Sequence, residues 1–205
     1  MLHLDASPRA NRSRSRDVAR RFFAALPDAI GVTRAELWSM ELPSLDGGMI
    51  EGRYDLLHGN PVPDNVKSEW AAIGAVAQSF LDHDGFIIST PMWNFGIPYR
   101  LKQFVDVVTQ PGMTFRNDAA GNVEGLAAGK RALIIAASAM PFGEDDALAG
   151  LDFQSRYLQA WLGFIGVTDV ETLNVGPTFG TEDDVLEIMS AAGERAEGIA
   201  RNWQS

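Results

Sequence analysis

Short apolar runs alternate along the chain with longer segments in which apolar residues recur every three or four positions. The runs predict buried strands, and the periodic segments predict helices with one buried face. Strands are expected at Met1–Ala6, Gly31–Trp38, Gly85–Thr90, Lys130–Ala137 and Val167–Asn174. Helices are expected at about Ser15–Leu26, about Val66–Asp82, from Pro98 onward, at about Asp146–Ile165, and from Thr181 toward the C-terminus.

Two segments interrupt this alternation and show little periodicity. They are Ser39–Asp64 and Pro111–Gly129, and both contain several glycines or prolines. A connection of that length inside a compact domain is usually functional or covers a partner surface.

The alternation of strands and helices predicts an α/β fold in which helices cover both faces of a parallel sheet. Five such units in 205 residues favour one domain, residues 1–205, with the flavodoxin-like strand order 2-1-3-4-5. In this three-layer sandwich a ligand binds where the order reverses, between the first and third strands. The loops after Ala6 and Thr90 are therefore expected to be neighbours.

The loop after the third strand is rich in groups that could hold a planar ring. It reads Met92-Trp93-Asn94-Phe95, which places a thioether, two aromatic rings and an amide at the carboxyl end of a buried strand. A redox-active ring system needs an apolar surface to lie on and amide partners along its edge. The two aromatic rings could instead fill a gap between helices, and spacing alone does not decide between these interpretations.

The loop after the first strand combines hydroxyl groups with positive charge at a helix start. Ser7, Ser13 and Ser15 lie in it, together with Arg9, Arg12, Arg14 and Arg16. Free N–H groups and the positive end of the helix dipole favour an anion there, such as a phosphate monoester without metal. A single serine would more simply be an N-cap, and the arginines could form a solvated face or a nucleic-acid patch.

Other motifs exclude several kinds of site. The dinucleotide pattern G-x-G-x-x-G is absent, and Gly125–Lys130 is one residue too short for a P-loop, with Arg131 in place of the Ser or Thr. The acidic groups Glu144–Asp146 and Glu182–Asp184 stand at predicted helix starts, where the dipole explains them better than a metal. The histidines are scattered in sequence, and no catalytic role is assigned to them.

Composition and charge exclude further classes of function. The 205 residues carry a net charge of −10, which argues against a nucleic-acid partner. No apolar run reaches the roughly 18–20 residues of a membrane span, and Met1–Asp5 lacks the features of a signal peptide. The absence of cysteine excludes a thiolate nucleophile or a thiolate metal site, and agrees with a reducing, cytoplasmic compartment.

Together these residues resemble the FMN-dependent NADH-azoreductases, also described as quinone reductases, over nearly the whole chain. The serines have the family's spacing, and Pro91–Phe95 is similar to its Pro-Met-aromatic-Asn-Phe motif. The match continues through Ile97–Pro98, Leu101–Lys102, Gly112–Arg116, Glu124–Leu126, Gly129–Lys130 and Leu162–Gly166.

The resemblance implies non-covalent, tightly bound FMN and NADH or NADPH as co-substrate, with no metal. It implies that Ser7, Ser13, Arg14 and Ser15 hold the phosphate, and that Met92, Trp93, Asn94 and Phe95 contact the ring, with Ser138 as a further contact. It also implies a homodimer with two flavins at its interface, in which Phe164 of one subunit closes the other's pocket. Two-electron ping-pong hydride transfer through flavin N5 to a quinone or azo compound is the expected reaction.

The chain departs from the family's pattern at two places. Ala137–Met140 stands where the family often has Ser-Arg-Gly-Gly, whose backbone approaches the flavin. Asn117 follows Arg116 where the family often has a tyrosine over the substrate, which predicts a more open or more polar pocket.

Two other functions remain possible at this stage. A flavodoxin-like electron carrier would suit the acidic charge, but it does not need the long segments 39–64 and 111–129. A nucleotide-binding or interaction protein could have kept the fold and lost FMN. Direct reduction by NADH would favour the enzyme. A colourless protein that binds no FMN would favour the nucleotide-binding or interaction protein.

Overall fold

The computed structural model describes residues 1–142 and 147–203. Its strands are β1 (Leu2–Asp5), β2 (Thr33–Glu36), β3 (Gly85–Pro91), β4 (Phe115–Asn117), β5 (Val123–Gly125), β6 (Arg131–Ala137) and β7 (Asp169–Val175). Its α-helices are α1 (Arg14–Ala24), α2 (Gly47–Leu57), α3 (Asp64–Leu81), α4 (Tyr99–Val108), α5 (Phe153–Phe164) and α6 (Glu182–Arg201).

Five of the strands form one parallel sheet in the order β2-β1-β3-β6-β7. Counted among the five main strands, this is the predicted order 2-1-3-4-5, so the flavodoxin-like α/β fold is confirmed. The register places Leu4 beside Ile88 and Ile88 beside Ile134, so the central strands are level with one another. Because all five strands are parallel, their carboxyl ends share one edge of the sheet, which we call the carboxyl edge.

The sheet has a hydrophobic core on each face, because successive side chains of a strand point to opposite sides. Phe86, Ile88 and Ile134 point to the side covered by α3, α4 and α5. Ile87, Leu133 and Ile135 point to the side covered by α1 and α6. The continuous apolar run in β3 is therefore explained by burial on both faces.

The prediction for Ser39–Asp64 was wrong in part, because this segment contains helix α2. Its N-cap is Asp46, whose carboxylate accepts a hydrogen bond of 2.9 Å from the N–H of Met49. Sequence periodicity missed α2 because its apolar residues lie around the whole helix, with Tyr54 and Leu57 exposed. Tertiary packing of a few side chains, including Met49 against Trp70, stabilises it.

Pro111–Gly129 is also more regular than predicted, since it contains the antiparallel hairpin β4–β5. Its strands have three residues each, too few to show the alternation of a half-buried strand.

Other boundaries differ by a few residues. The predicted strand Gly31–Trp38 is shorter at both ends, and the predicted helix Asp146–Ile165 begins at Phe153 after a 3₁₀ turn at Ala149–Leu151. Glu144–Asp146 lies outside the described residues. Thr181 caps α6 as predicted, accepting from the N–H of Asp184. Within residues 1–142 and 147–203, none of the helices has the length and apolar character needed to cross a bilayer.

Candidate functional site

Two loops leave the carboxyl edge side by side, because they follow the neighbouring strands β1 and β3. We call residues 7–16 the serine loop and residues 92–96 the ring loop. The N–H of Ala6 donates to the carbonyl of Ser89 (2.9 Å), so the two strands stay paired up to the start of the serine loop. The predicted adjacency of the two loops follows directly from this pairing.

The three serines of the serine loop are almost completely buried. Ser13 is the N-cap of α1, and its Oγ accepts from the N–H of Arg16 (3.2 Å). Its Oγ also lies 3.3 Å from that of Ser15. Ser7 is connected to the same group through Arg16, whose Nη2 donates to the Ser7 carbonyl (3.5 Å). The interpretation of a lone serine as an N-cap therefore applies to Ser13, although its hydroxyl can still donate.

The start of α1 leaves donors for an anion. The first four N–H groups of a helix have no partner within it, and here the Ala10 carbonyl accepts from that of Ser13 (3.3 Å) and the Ser13 Oγ accepts from that of Arg16. The N–H groups of Arg14 and Ser15 remain, at the positive end of the helix dipole. Two backbone donors with neighbouring hydroxyls make a donor set that suits a phosphate monoester.

The arginines of the serine loop are not equivalent. Arg16 is buried and pairs with the fully buried carboxylate of Asp5 at 2.5 Å. Arg34 reaches the same carboxylate at 2.7 Å, and Glu36 lies 3.8 Å from Arg16 and 3.3 Å from Arg34. Two carboxylates thus balance the two arginines, and Arg16 adds little charge for a ligand. The other three guanidinium groups of the loop are exposed and form no ion pair with a described residue: Arg9, Arg12 and Arg14.

The ring loop is a tight turn with an unusual backbone. Trp93 and Gly96 exchange two hydrogen bonds of 2.9 and 3.0 Å, which leaves Asn94 and Phe95 as the central residues. Both have positive φ, 48° for Asn94 and 71° for Phe95, as in a type I′ turn. Since glycine is the residue that adopts such angles without cost, this turn holds an exposed amide and an exposed phenyl ring against a backbone preference.

Three aromatic rings form a cluster beside the ring loop. The Trp38 ring centroid lies 5.5 Å from that of Trp93 and 5.1 Å from that of Tyr99, and Trp93 and Tyr99 are 6.0 Å apart. Sequence reasoning found Trp93 but missed Trp38 and Tyr99. The position of Trp38 just after β2 could have indicated it, because β2 ends at the same edge as β1.

An open cavity of about 750 Å³ adjoins this cluster, a volume in the usual range of small-molecule sites. Its walls combine apolar and aromatic side chains with amide groups and with the ion pair of Lys102 and Asp106 (2.5 Å). They include Leu45, Trp93, Asn94, Ile97, Tyr99 and Gln103.

Ser138 follows β6 at the same edge, and the N–H of Met92 donates to the carbonyl of its neighbour Ala137 (2.7 Å). The Ser138 hydroxyl donates to the Met140 carbonyl (2.8 Å), and its own carbonyl accepts from Thr178. The side chain is near the ring loop, but its proton is already used, so only its oxygen could serve a ligand.

Asn117 and Phe164 do not lie beside the ring loop of their own chain. The start of α5 touches that loop, since the N–H of Phe153 donates to the Phe95 carbonyl (3.0 Å). Helix α5 extends from there for about 16 Å to Phe164, because an α-helix rises about 1.5 Å per residue. There Phe164 packs against Phe115 of the hairpin (4.8 Å), near the exposed Asn117. One chain alone therefore does not bring these two residues to the candidate site.

Among the described residues near the serine loop, His3 has a clearly shifted pKa. Its Nε2 lies 2.8 Å from the Ser89 Oγ, and burial lowers the pKa of its imidazole from 6.5 to about 4. The ring is therefore neutral near pH 7, and its place within β1, packed against Phe23 of α1 at 4.8 Å, indicates a structural role.

Comparison with known proteins extends these observations. A sequence model of a family described as "Flavodoxin-like fold" matches residues 1–199. The chain is similar to the FMN-dependent NADH:quinone oxidoreductase of Desulfotalea psychrophila, with 34% identity over 208 residues, covering 100% of this chain and 98% of that protein. It is 37% identical over 202 residues to the protein of the same name from Nitratidesulfovibrio vulgaris, covering 97% and 94%.

Solved structures of similar proteins have the same fold as this chain. The azoreductase from Bacillus anthracis str. Sterne superposes with a TM-score of 0.88 and 25% identity, covering 98% of both chains. An FMN-dependent NADH-azoreductase from Bacillus anthracis str. Ames Ancestor, in complex with FMN, has the same fold, with a TM-score of 0.89 and 22% identity over 98% of this chain and 97% of that one.

Proposed function

The chain belongs to the family of FMN-dependent NADH:quinone oxidoreductases of flavodoxin-like fold, and from this premise we propose that it binds FMN and reduces quinones and azo compounds with NADH or NADPH. One observation carries the proposal. The capped helix start with spare phosphate donors and the exposed aromatic–amide turn leave the same edge of the sheet on neighbouring strands.

At the phosphate end, the hydroxyls of Ser7, Ser13 and Ser15 and the N–H groups of Arg14 and Ser15 would hold the FMN phosphate. Arg14 adds a charge that no described residue neutralises. Because Arg16 is committed to Asp5, we assign it to positioning the loop and not to binding the phosphate.

At the ring end, Met92, Trp93 and Phe95 would provide the apolar surface for the isoalloxazine, and Asn94 would hydrogen-bond its polar edge. The oxygen of Ser138 is a further acceptor nearby. When bound, FMN would supply the redox chemistry, taking two electrons as hydride at N5 from NAD(P)H and passing them to a quinone or azo acceptor. The side chains of this chain then need to bind and orient the reactants, and none has to act as an acid or base.

NAD(P)H and the quinone or azo acceptor would bind in turn at the same opening at the carboxyl edge. Release of the oxidised nicotinamide before the acceptor binds predicts ping-pong kinetics. Double-reciprocal plots measured at several acceptor concentrations should give parallel lines if this order holds. Intersecting lines would contradict it.

We include a homodimer in the proposal, because Asn117 and Phe164 lie at the other end of α5 from the ring loop. Only a second copy could bring them to it. Two half-exposed aromatic side chains on the α4–α5 side, Tyr99 at 63% and Phe164 at 42%, support burial by another subunit. A reducing cytoplasmic location, expected from the absence of cysteine, belongs to the same proposal.

An absorbance spectrum of the purified protein, before and after anaerobic NADH, tests the function most directly. We expect a flavin spectrum that NADH bleaches and a quinone restores. A colourless protein that takes up no added FMN contradicts the proposal. A flavin that NADH does not reduce would support the electron carrier instead.

A matched pair of N-cap variants localises the phosphate. Ser13→Ala and Thr181→Ala each remove an N-cap bond of 3.2 Å, and each should cost about 1 kcal/mol of stability. Only Ser13→Ala should weaken FMN binding, measured by titrating the apoprotein and following the quenching of flavin fluorescence. Equal FMN affinity in the two variants would argue against the serine loop as the phosphate site.

A further inference from the structure

Trp38 touches both loops of the candidate site. Its indole Nε1–H donates to the carbonyl of Ala6 (2.8 Å), the residue immediately before the serine loop. Its ring packs against Trp93 of the ring loop at a centroid distance of 5.5 Å and an angle of 50°. One side chain therefore connects the entry of the serine loop to the ring loop.

The backbone around Trp38 is held in place by α4. Arg100 donates from Nε to the carbonyl of Leu37 (2.7 Å) and from Nη2 to the carbonyl of Met40. The Tyr99 ring, in the same turn of α4, packs edge-on against the indole at 5.1 Å and also lies 6.0 Å from the Trp93 ring. The backbone on each side of Trp38 is thus held by α4, and any shift of its indole would change its contacts with both Ala6 and Trp93.

We propose that Trp38 is a positioning residue that couples the two loops, so that the phosphate and the ring of a flavin are bound cooperatively. The inference rests on the proposed function, since it takes FMN as the ligand. A group bound by the Ser7 hydroxyl would hold the Ala6–Ser7 peptide more firmly than its bonds to Ser89 and Asp5 do alone, and through the indole it would hold Trp93. The ring would then bind to a turn that is already ordered, at a lower cost in conformational entropy.

The test compares FMN with riboflavin, which has the ring but lacks the phosphate. The ratio of the riboflavin Kd to the FMN Kd measures what the phosphate adds, including its coupling to the ring. Trp38→Phe keeps an aromatic ring beside Trp93 and removes the N–H that holds Ala6. We expect this ratio to fall at least about fivefold in Trp38→Phe, because energetic coupling between sites usually spans about 5- to 150-fold.

Trp70→Phe is the matched control. Trp70 also donates its indole N–H to a carbonyl, that of Met49 at 2.9 Å, and it is buried beneath α2, away from both loops. In Trp70→Phe the ratio of the riboflavin Kd to the FMN Kd should equal the wild-type ratio. Isothermal titration of the apoproteins gives both dissociation constants without any turnover.

The outcomes separate the inference from the proposed function. A ratio in Trp38→Phe within twofold of the wild-type value, or an equal fall in Trp70→Phe, overturns the role of Trp38 while FMN binding stands. Failure of the wild-type protein to bind FMN overturns both. If Trp38→Phe does not fold, replacement of Trp38 by benzothienylalanine keeps the bicyclic ring and removes only the N–H, and an unchanged ratio there overturns the inference.

Discussion

Two adjacent residues of the ring loop, Asn94 and Phe95, adopt the left-handed conformation that side chains other than glycine avoid. Asparagine tolerates this region better than most residues, whereas phenylalanine has no such advantage. The surrounding contacts hold the turn, including the bond from Phe153 to the Phe95 carbonyl. Strain of this kind concentrates at binding sites, which agrees with a turn built to present an amide and a ring together.

Asn94 offers a way to separate backbone strain from side-chain chemistry. Asn94→Ala should lower the free energy of unfolding by about 1 kcal/mol, because alanine is strained at positive φ. Asn94→Gly should not, because glycine adopts this conformation freely. Both variants lose the amide, so both should bind FMN more weakly than wild type. Urea denaturation measures the first effect and flavin titration the second, and equal stabilities of the two variants would contradict the strain.

His3 should make stability depend on pH. The unfolded imidazole gains a proton below its ordinary pKa of 6.5, whereas the buried imidazole resists it until about pH 4. The unfolded state therefore binds more protons in this window, and stability is lost as pH falls through it. The loss should be on the order of 3 kcal/mol between pH 6.5 and 4.

Denaturation at a series of pH values checks this expectation. His3→Gln should have a shallower dependence between pH 6.5 and 4, whereas His58→Gln, at an exposed position, should keep the wild-type slope. The same slope in all three proteins would count against a buried, neutral His3.

The residues of the candidate site that sequence could predict are those that directly follow a predicted strand. Ser7 and Met92–Phe95 are of this kind, because strand order alone brings their loops together. Trp38 and the pairing of Arg16 with Asp5 could not be found in this way. They depend on contacts between residues 32 and 11 positions apart that no local pattern reveals.

At the scale of elements, two glycine-containing segments singled out in the sequence, Glu124–Leu126 and Leu162–Gly166, turn out to be two sides of one contact. A Cβ at Gly125 would lie 2.1 Å from the backbone carbonyl carbon of Ile165, and one at Gly166 would lie 2.9 Å from the Gly125 oxygen. The N–H of Ala127 also donates to the Ile165 carbonyl (2.8 Å). These glycines let the hairpin approach the end of α5, so their role is in packing.

Gly125→Ala should therefore be strongly destabilising, by about 3 kcal/mol, because backbone atoms cannot move aside as a flexible side chain can. Gly163→Ala, two residues before Ile165, has open space around its Cβ and lies inside a helix. It should be neutral or stabilising by about 0.5–1 kcal/mol. The urea midpoints of the two variants measure the difference, and similar midpoints would contradict the close approach.

The elements that sequence predicted well are those with strong local signals, such as β3 with its buried run and α6 with its capped start. The elements that sequence missed have weak local signals. Helix α2 begins with two glycines and depends on contacts such as Met49 with Trp70, and the strands of the hairpin are only three residues long. Both misses are cases in which tertiary packing outweighs local preference.

At the scale of the whole molecule, the five-stranded sheet separates two ends with different contents. Its carboxyl edge carries the serine and ring loops, and the opposite end carries the hairpin and Phe164. Strand order could be predicted because the alternation of elements allows few topologies. That residues 1–205 form a single domain stays a prediction, and so does the assembly of two chains.

Phe164→Arg tests that assembly. If a second copy covers Phe164, a charge there should leave the protein monomeric in sedimentation analysis and weaken its binding of FMN. Leu186→Arg changes a comparably exposed side chain on α6, which covers the other face of the sheet, and should stay dimeric. A wild-type protein that sediments as a monomer at micromolar concentration would contradict the homodimer.

The serine loop is anchored at both of its ends. On one side the Asp5 carboxylate accepts the N–H of Ser7 (3.2 Å) and pairs with Arg16, and on the other side Ser13 caps α1. The five exposed residues 8–12 between these anchors are held only by local bonds, from the Arg9 N–H to the Ser7 Oγ (3.3 Å) and from the Arg12 N–H to the Arg9 carbonyl (2.9 Å), so we expect them to lift away from the buried hydroxyls most easily. A flavin could thus enter and leave through a brief local opening while the fold stays intact. Its exchange rate should then hardly respond to mild denaturant, and amide deuteration should be fastest at residues 10 and 11 and slow on either side of the loop.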